Sequence, residues 1–234
     1  EICRVMACSA GGKTTLALNI IRNNPEVPAL FFSLEMNWRM VVARLAAIDA
    51  PTTTTQLENE TKESNVPPQA FQATADKYHL LTCDDTPAIT LKQASASFEA
   101  ATALKGVAPR LVVFDYLELI GGSGMLGKSE AVDKASQKLR DWTRHHDTST
   151  IVLHQVGKGD GGDVALDLGS GRYGGYAPMD YVVGAYAPRL ANGITEQDFE
   201  ARKDEVWLQL LKNRAGQAHP TGIKHRLDSR TMRL

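Results

Sequence analysis

Residues 2–20 read ICRVMACSAGGKTTLALNI, and the parsing of this stretch decides the fold. ICRVMA (2–7) has the make-up of a buried strand, and KTTLALNIIRN (13–23) that of a helix. A short turn with two glycines joins them. Strand, glycine turn, lysine, hydroxyl and helix is the order in which a chain cradles phosphate. Backbone N–H groups and the helix N-terminus meet the anion, the lysine reaches the outer phosphates, and the hydroxyl holds Mg²⁺. Gly11 and Gly12 permit the turn, Lys13 is the cation, Thr14 the Mg²⁺ ligand, and Thr15 a hydroxyl for the α-phosphate. The full pattern G-x-x-x-x-G-K-[ST] asks for glycine at position 7, where this chain has Ala7. If that position needs positive φ, alanine costs about 1 kcal/mol, which weakens such a site without abolishing it.

The pattern continues along the chain. Strands are expected at 29–35, 78–83, 110–120 and 149–156, and helices at 38–48, 91–106 and 130–146. Strands apolar throughout, alternating with helices, indicate a parallel sheet covered on both faces. Three further strands, YVVGAY, VWLQLLKN and GIKHRL, have little helix between them beyond an insert near 195–203, so the sheet should finish with an antiparallel portion. Polar residues 51–68 read as a surface connection with one short helix. Two glycine-rich loops, 121–128 and 157–175, leave the carboxyl ends of strands, the edge where open α/β sheets bind ligands.

The 234 residues are 43% hydrophobic and 23% charged, with a formal net charge of −1. This fits one large globular domain and argues against a basic nucleic-acid glove, although residues 201–234 hold an excess of Lys and Arg. No apolar run approaches the roughly 18–20 residues of a membrane helix. Cys3, Cys8 and Cys83 are scattered, as idle thiols of a reducing cytoplasm would be. The chain opens on Glu1 directly before an apolar run, as a piece of a longer protein would.

A magnesium–nucleotide site needs a second acid, and LVVFD ends in Asp115 at the exit of a hydrophobic strand. Glu35 follows ALFFSL on the same edge. The residues alone leave two readings for it: a base that orients water, or a charge at the N-terminus of the next helix. Gln155 ends TIVLHQ, where an amide can sense the γ-phosphate. His154 is beside it; side chains alternate along a strand, so only one of the two can face the site, and His154 reads as a packed or surface histidine.

GKTTLALNI, FFSLEM, VVFDYLELI, LHQV and LKNRAGQAHPTG occur in an order that resembles the ATPase domain of DnaB-type replicative helicases, a branch of the RecA-like phosphate-loop NTPase fold. The resemblance covers essentially the whole chain. It implies a single RecA-like domain over residues 1–234, without the family's N-terminal domain and linker helix. It implies ATP and Mg²⁺ as cofactors, single-stranded DNA as partner, a homo-hexameric ring when full length, and a bacterial or phage-infected cytoplasm. By the same resemblance Glu35 is the catalytic base, Asp115 holds the metal shell, and Gln155 is the γ-phosphate sensor. Lys212 and Arg214 reach a neighbouring subunit's site, and Lys158, Arg172 and Tyr173 touch DNA.

The chain departs from the family at Ala7 and in the second loop, where GSGRYGGYAP replaces an acid-rich stretch. Two other readings stay open at this point: a recombinase-like DNA-dependent ATPase, and a nucleotide- and DNA-binding module that does not hydrolyse.

Overall fold

The computed structural model describes residues 1–50, 52–63, 69–115, 128–156, 165–169, 174–190, 193–228 and 231–234. Among these, the strands are β1 (Ile2–Ala7), β2 (Ala29–Ser33), β3 (Leu81–Asp84), β4 (Leu111–Asp115), β5 (Ser149–Gln155), β6 (Tyr181–Tyr186), β7 (Glu205–Asn213) and β8 (His219–Arg226). They form one sheet in the order β3-β2-β4-β5-β1-β6-β7-β8. Pairing is parallel from β3 to β6 and antiparallel between β6, β7 and β8. Of the three closing strands, YVVGAY therefore still runs parallel to β1, β7 runs against it, and β8 turns back to the direction of β1.

Apolar residues on alternate strand positions enter opposite layers, as the period of two requires. Val5, Phe31, Val113 and Leu153 pack beneath α1 (Lys13–Arg22) and α2 (Trp38–Asp49), through Leu18, Ile21, Val41 and Leu45. Met6, Phe32, Phe114 and Val152 pack beneath α5 (Leu91–Lys105) and α6 (Lys128–His145), through Phe98, Leu139 and Trp142. The helix α5 is bounded as its sequence suggests, by a capping box of Thr90 and Gln93 and by Gly106 at φ 71°. A short helix α7 (Glu196–Arg202) forms the expected insert before β7.

The polar stretch 51–68 holds one described helix, α3 (Thr54–Glu63), as expected, and a second, α4 (Gln69–Lys77), follows it. One buried leucine, Leu57, suffices to seat them, because it packs on the small side chains Ala46 and Ala47 of α2 beside Ala70 and Phe71. Strand β2 stops at Ser33 rather than running to Glu35. There Ser33 Oγ donates to the carbonyl of Met36 at 2.6 Å and closes a bend. Residues 116–120, expected to extend β4, lie outside the described residues. No described helix is long and apolar enough to cross a membrane. Burial pushes the thiols of Cys3 and Cys83 up to about 12.

Candidate nucleotide site

Ala7 is the last residue of β1 and lies opposite Gln155 in the ladder with β5. It is extended, so the suspected strain at this position is absent. The strained residue is instead Ala10, at φ 60°. Gly12, at φ 89° and ψ 16°, then turns the chain into α1. Gly11 answers directly to Ala7: a Cβ at Gly11 would lie 2.8 Å from the Ala7 Cβ and 3.0 Å from the Cys8 carbonyl oxygen. Alanine at position 7 is thus accommodated by glycine at position 11. Because a left-handed alanine costs roughly 1–2 kcal/mol, Ala10→Gly should raise stability by about 1 kcal/mol. For a domain of this size that is about 2–4 °C in a thermal melt.

The loop ends in a helix that no side chain caps and whose first turn carries no acid. Its N–H groups and dipole therefore favour an anion. Lys13 Nζ donates to the carbonyls of Ala7 at 3.0 Å and Cys8 at 2.9 Å, bracing the loop from inside. Thr14 Oγ1 donates to Asp115 Oδ2 at 2.8 Å, a contact spanning 101 residues of sequence.

Asp115 is 1% exposed. Its second oxygen, Oδ1, is buried and has no hydrogen-bond partner. Burial raises the carboxyl pKa and Glu35 raises it further, while the Thr14 hydrogen bond, Lys13 and Arg44 oppose them without prevailing. A buried carboxylate with one orphaned oxygen, next to a threonine hydroxyl, is a hard oxygen donor set lacking positive charge. Thr14 and Asp115 therefore fit Mg²⁺.

Strand order explains how residues so far apart in sequence meet. Strand β5 stands between β1 and β4, so Gln155 ends between the phosphate loop and Asp115. His154 faces the α5–α6 layer and is fully buried, as its alternation with Gln155 implied. Glu35 is exposed, two residues past Ser33, the ladder partner of Asp115. The cap of α2 is Asn37, whose side chain accepts from the Met40 amide, so the helix does not draw on Glu35 for that purpose. Thr15 is buried and its hydroxyl faces Met232 Sδ at 3.5 Å.

Lys212 and Arg214 lie on or just beyond β7, and both engage their own chain. Lys212 Nζ donates to the carbonyls of Tyr176 at 3.2 Å and Ala177 at 2.9 Å. Arg214 Nη1 donates to Asp180 Oδ1 at 2.9 Å. Burial, with Arg140 and Arg214 nearby, holds the Lys212 pKa below its ordinary value. Lys158, Arg172 and Tyr173 lie outside the described residues. Sequence reasoning passed over Arg4, which is 0% exposed on the central strand. The signal was available as a cation inside an otherwise apolar run.

The family model for the DnaB-like helicase C terminal domain matches residues 1–161. The chain belongs to this family. Replicative DNA helicase DnaB proteins share 29% identity over 152 residues in Nostoc sp. and 28% over 161 residues in Leifsonia xyli. These stretches are 63% and 66% of this chain, but only 17% and 35% of the relatives. The chain thus spans about a third or less of the length of the curated relatives it matches. Among solved structures, an ATPase domain superposes with a TM-score of 0.81 at 16% identity, covering 99% of this chain and 82% of that one. A DnaB-like replicative helicase solved for its interactions with primase gives 0.81 at 17% identity, covering 100% of this chain and 56% of that one. These two share the fold of this chain over essentially all of its residues. The family match ends before β6, so Lys212 and Arg214 fall beyond it.

Proposed function

We propose that this DnaB-like domain binds ATP with Mg²⁺ and hydrolyses it between subunits, as the motor of a replicative helicase that moves along single-stranded DNA. The observation that carries the reading is the Thr14–Asp115 contact at 2.8 Å, with the buried Asp115 Oδ1 left over for a cation. In this reading the N–H groups of Gly12 and the first turn of α1 hold the phosphates. Lys13 leaves the loop carbonyls for the outer phosphates, and Thr14 and Asp115 hold the metal. Bound Mg²⁺ would supply positive charge to the phosphate oxygens.

Glu35 is the candidate base. It is exposed on the functional edge and near enough to Asp115 to raise that group's pKa, so it can accept a proton from water at the same face. Gln155, at the end of β5 between β1 and β4, is the candidate sensor of the γ-phosphate. Lys212 and Arg214 act on the site of the neighbouring subunit, which requires a ring or another closed assembly. Lys158, Arg172 and Tyr173 remain proposals for DNA contact.

Steady-state ATP hydrolysis by this chain, with and without single-stranded DNA, tests the reading across protein concentration. Turnover should rise more than linearly with protein and should increase with DNA. Turnover strictly linear in protein and indifferent to DNA would count against a shared-site motor.

A further inference from the structure

Arg4 occupies the middle of the central strand, where an apolar side chain would pack without the desolvation cost of a charge. It faces the α6 layer. Its Nη1 donates to the carbonyl of Gly174, and its Nη2 to the carbonyl of Gly175 and to Ser136 Oγ, the last at 2.8 Å. The two glycines, both at φ 77°, bring their carbonyls onto one guanidinium. The fit is close: a Cβ at Gly175 would lie 2.6 Å from Arg4 Nη2, 2.7 Å from Ser136 Oγ and 2.8 Å from a methyl carbon of Val132.

Residues 174–180 continue from this clamp as a strap held by side chains rather than by a ladder. Lys212 holds Tyr176 and Ala177, and Arg140 Nη1 donates to the carbonyl of Pro178 at 2.8 Å. At the far end the Asp180 carboxylate accepts from the Ile2 amide at 3.0 Å, and the Asp180 amide donates to the Ile2 carbonyl at 2.9 Å. The strap is therefore fastened at both ends to β1, the strand that runs into the phosphate loop, and in its middle to Lys212.

We propose that Arg4 is a positioning residue that fixes strap 174–180 to the phosphate-loop strand and thereby couples ATP turnover to DNA. In sequence the strap follows directly on Arg172 and Tyr173, and the coupling half of the proposal rests on the motor reading above. A guanidinium can serve three acceptors at once through its planar fork, whereas a lysine ammonium on a flexible stem cannot span them. Lys212 alone cannot define the strap, because its proposed duty at a neighbour's phosphate requires it to give up Tyr176 and Ala177.

Two variants perturb the clamp from opposite sides. Arg4→Lys keeps the charge and loses the fork. Gly175→Ala leaves Arg4 intact and drives a methyl group into it. Amide hydrogen exchange, read by mass spectrometry, is followed over 174–180 and over β1, together with ATP turnover with and without single-stranded DNA. In both variants, strap exchange should rise about tenfold or more while β1 stays protected. Basal turnover should stay within about twofold and DNA stimulation should fall at least about fivefold, the response expected when positioning and not chemistry is lost. The double variant should be no worse than either single one, because both break the same contact.

Unchanged strap exchange in both variants would overturn the positioning role. A loosened strap with full DNA stimulation would overturn the coupling. An unaltered protein without any DNA response would refute the motor reading and the coupling together, and the exchange data distinguish that failure from a failure of the clamp.

Discussion

Asp115→Asn should make the ligand-free domain more stable at neutral pH and at the same time remove its response to Mg²⁺ and nucleotide. The stability half follows from burial. The folded-state pKa of Asp115 lies above its ordinary value of 3.8, with burial the leading cause. Stability linked to this group is fully present below the unfolded value and is lost as pH rises through the folded one. Wherever Asp115 is ionised, the folded chain holds a carboxylate whose Oδ1 has no partner. An uncharged amide of the same shape removes the buried charge and can still accept from Thr14, with its NH2 taking the place of Oδ1. We expect a gain of about 1 kcal/mol, the difference between burying an unpartnered carboxylate and an unpartnered amide. The variant should also lose the downward slope of stability with pH above the unfolded carboxyl range.

The functional half has the opposite sign. A ligand at about a hundred times its dissociation constant stabilises a protein by about 2.7 kcal/mol, and the variant should lose most of this. Its turnover should drop about a hundredfold or more, the upper end of what loss of a metal-site group costs. Thermal melts of both proteins, with and without Mg²⁺ and a non-hydrolysable ATP analogue, check both halves. A variant that melts lower without ligand would show that the orphaned carboxylate is already neutralised in the free chain. One that keeps the full ligand shift would remove Asp115 from the metal site.

How much of this was legible in the sequence follows from range. Apart from Arg4, the strands carrying the site are largely apolar and bounded by turns, so β1, α1, β5 and the start of β4 could be placed within a few residues from local composition. The parallel sheet with an antiparallel end was likewise visible in the spacing. What local composition could not show was the cost of each position. Ala7 looked strained because a motif asks for glycine there, yet its backbone is set by the ladder to Gln155, and the left-handed residue proved to be Ala10. Glu35 looked like a strand end, yet the bend comes earlier, through a serine hydroxyl. Thr15 follows Thr14 in the loop, and adjacency gave no sign of its contact with Met232, 217 residues distant. Arg4 stood out as a cation in an apolar run, but its purpose was hidden for the same reason. Its partners come from 132 to 171 residues away, and only the fold brings them to it.

Arg214→Ala should lower ATP turnover by about 10³–10⁵, the worth of a cation placed on the transferring phosphoryl group, and the loss should be repairable from outside the subunit. The fold should survive the change. Arg214 is an exposed side chain, and its ion pair with Asp180 is one of several contacts to that carboxylate. Burial works against the Asp180 charge, but the Ile2 amide, Arg214 and Arg140 together hold its pKa below the usual range. Removing one exposed partner costs at most about 1 kcal/mol. Lys13→Ala should likewise be inactive, because it removes the cation of the phosphate loop itself. When the two dead proteins are mixed and allowed to assemble, some interfaces will join the intact Lys13 of one subunit to the intact Arg214 of the next. With equal amounts and random order, roughly a quarter of the interfaces of a closed ring meet this condition. Steady-state turnover of the mixture should therefore recover to about that fraction of the unaltered protein's, whereas each variant alone stays silent. If Arg214 served only its own subunit, as its contact with Asp180 in the single chain allows, no mixing ratio would restore activity, and the shared site would have to be abandoned.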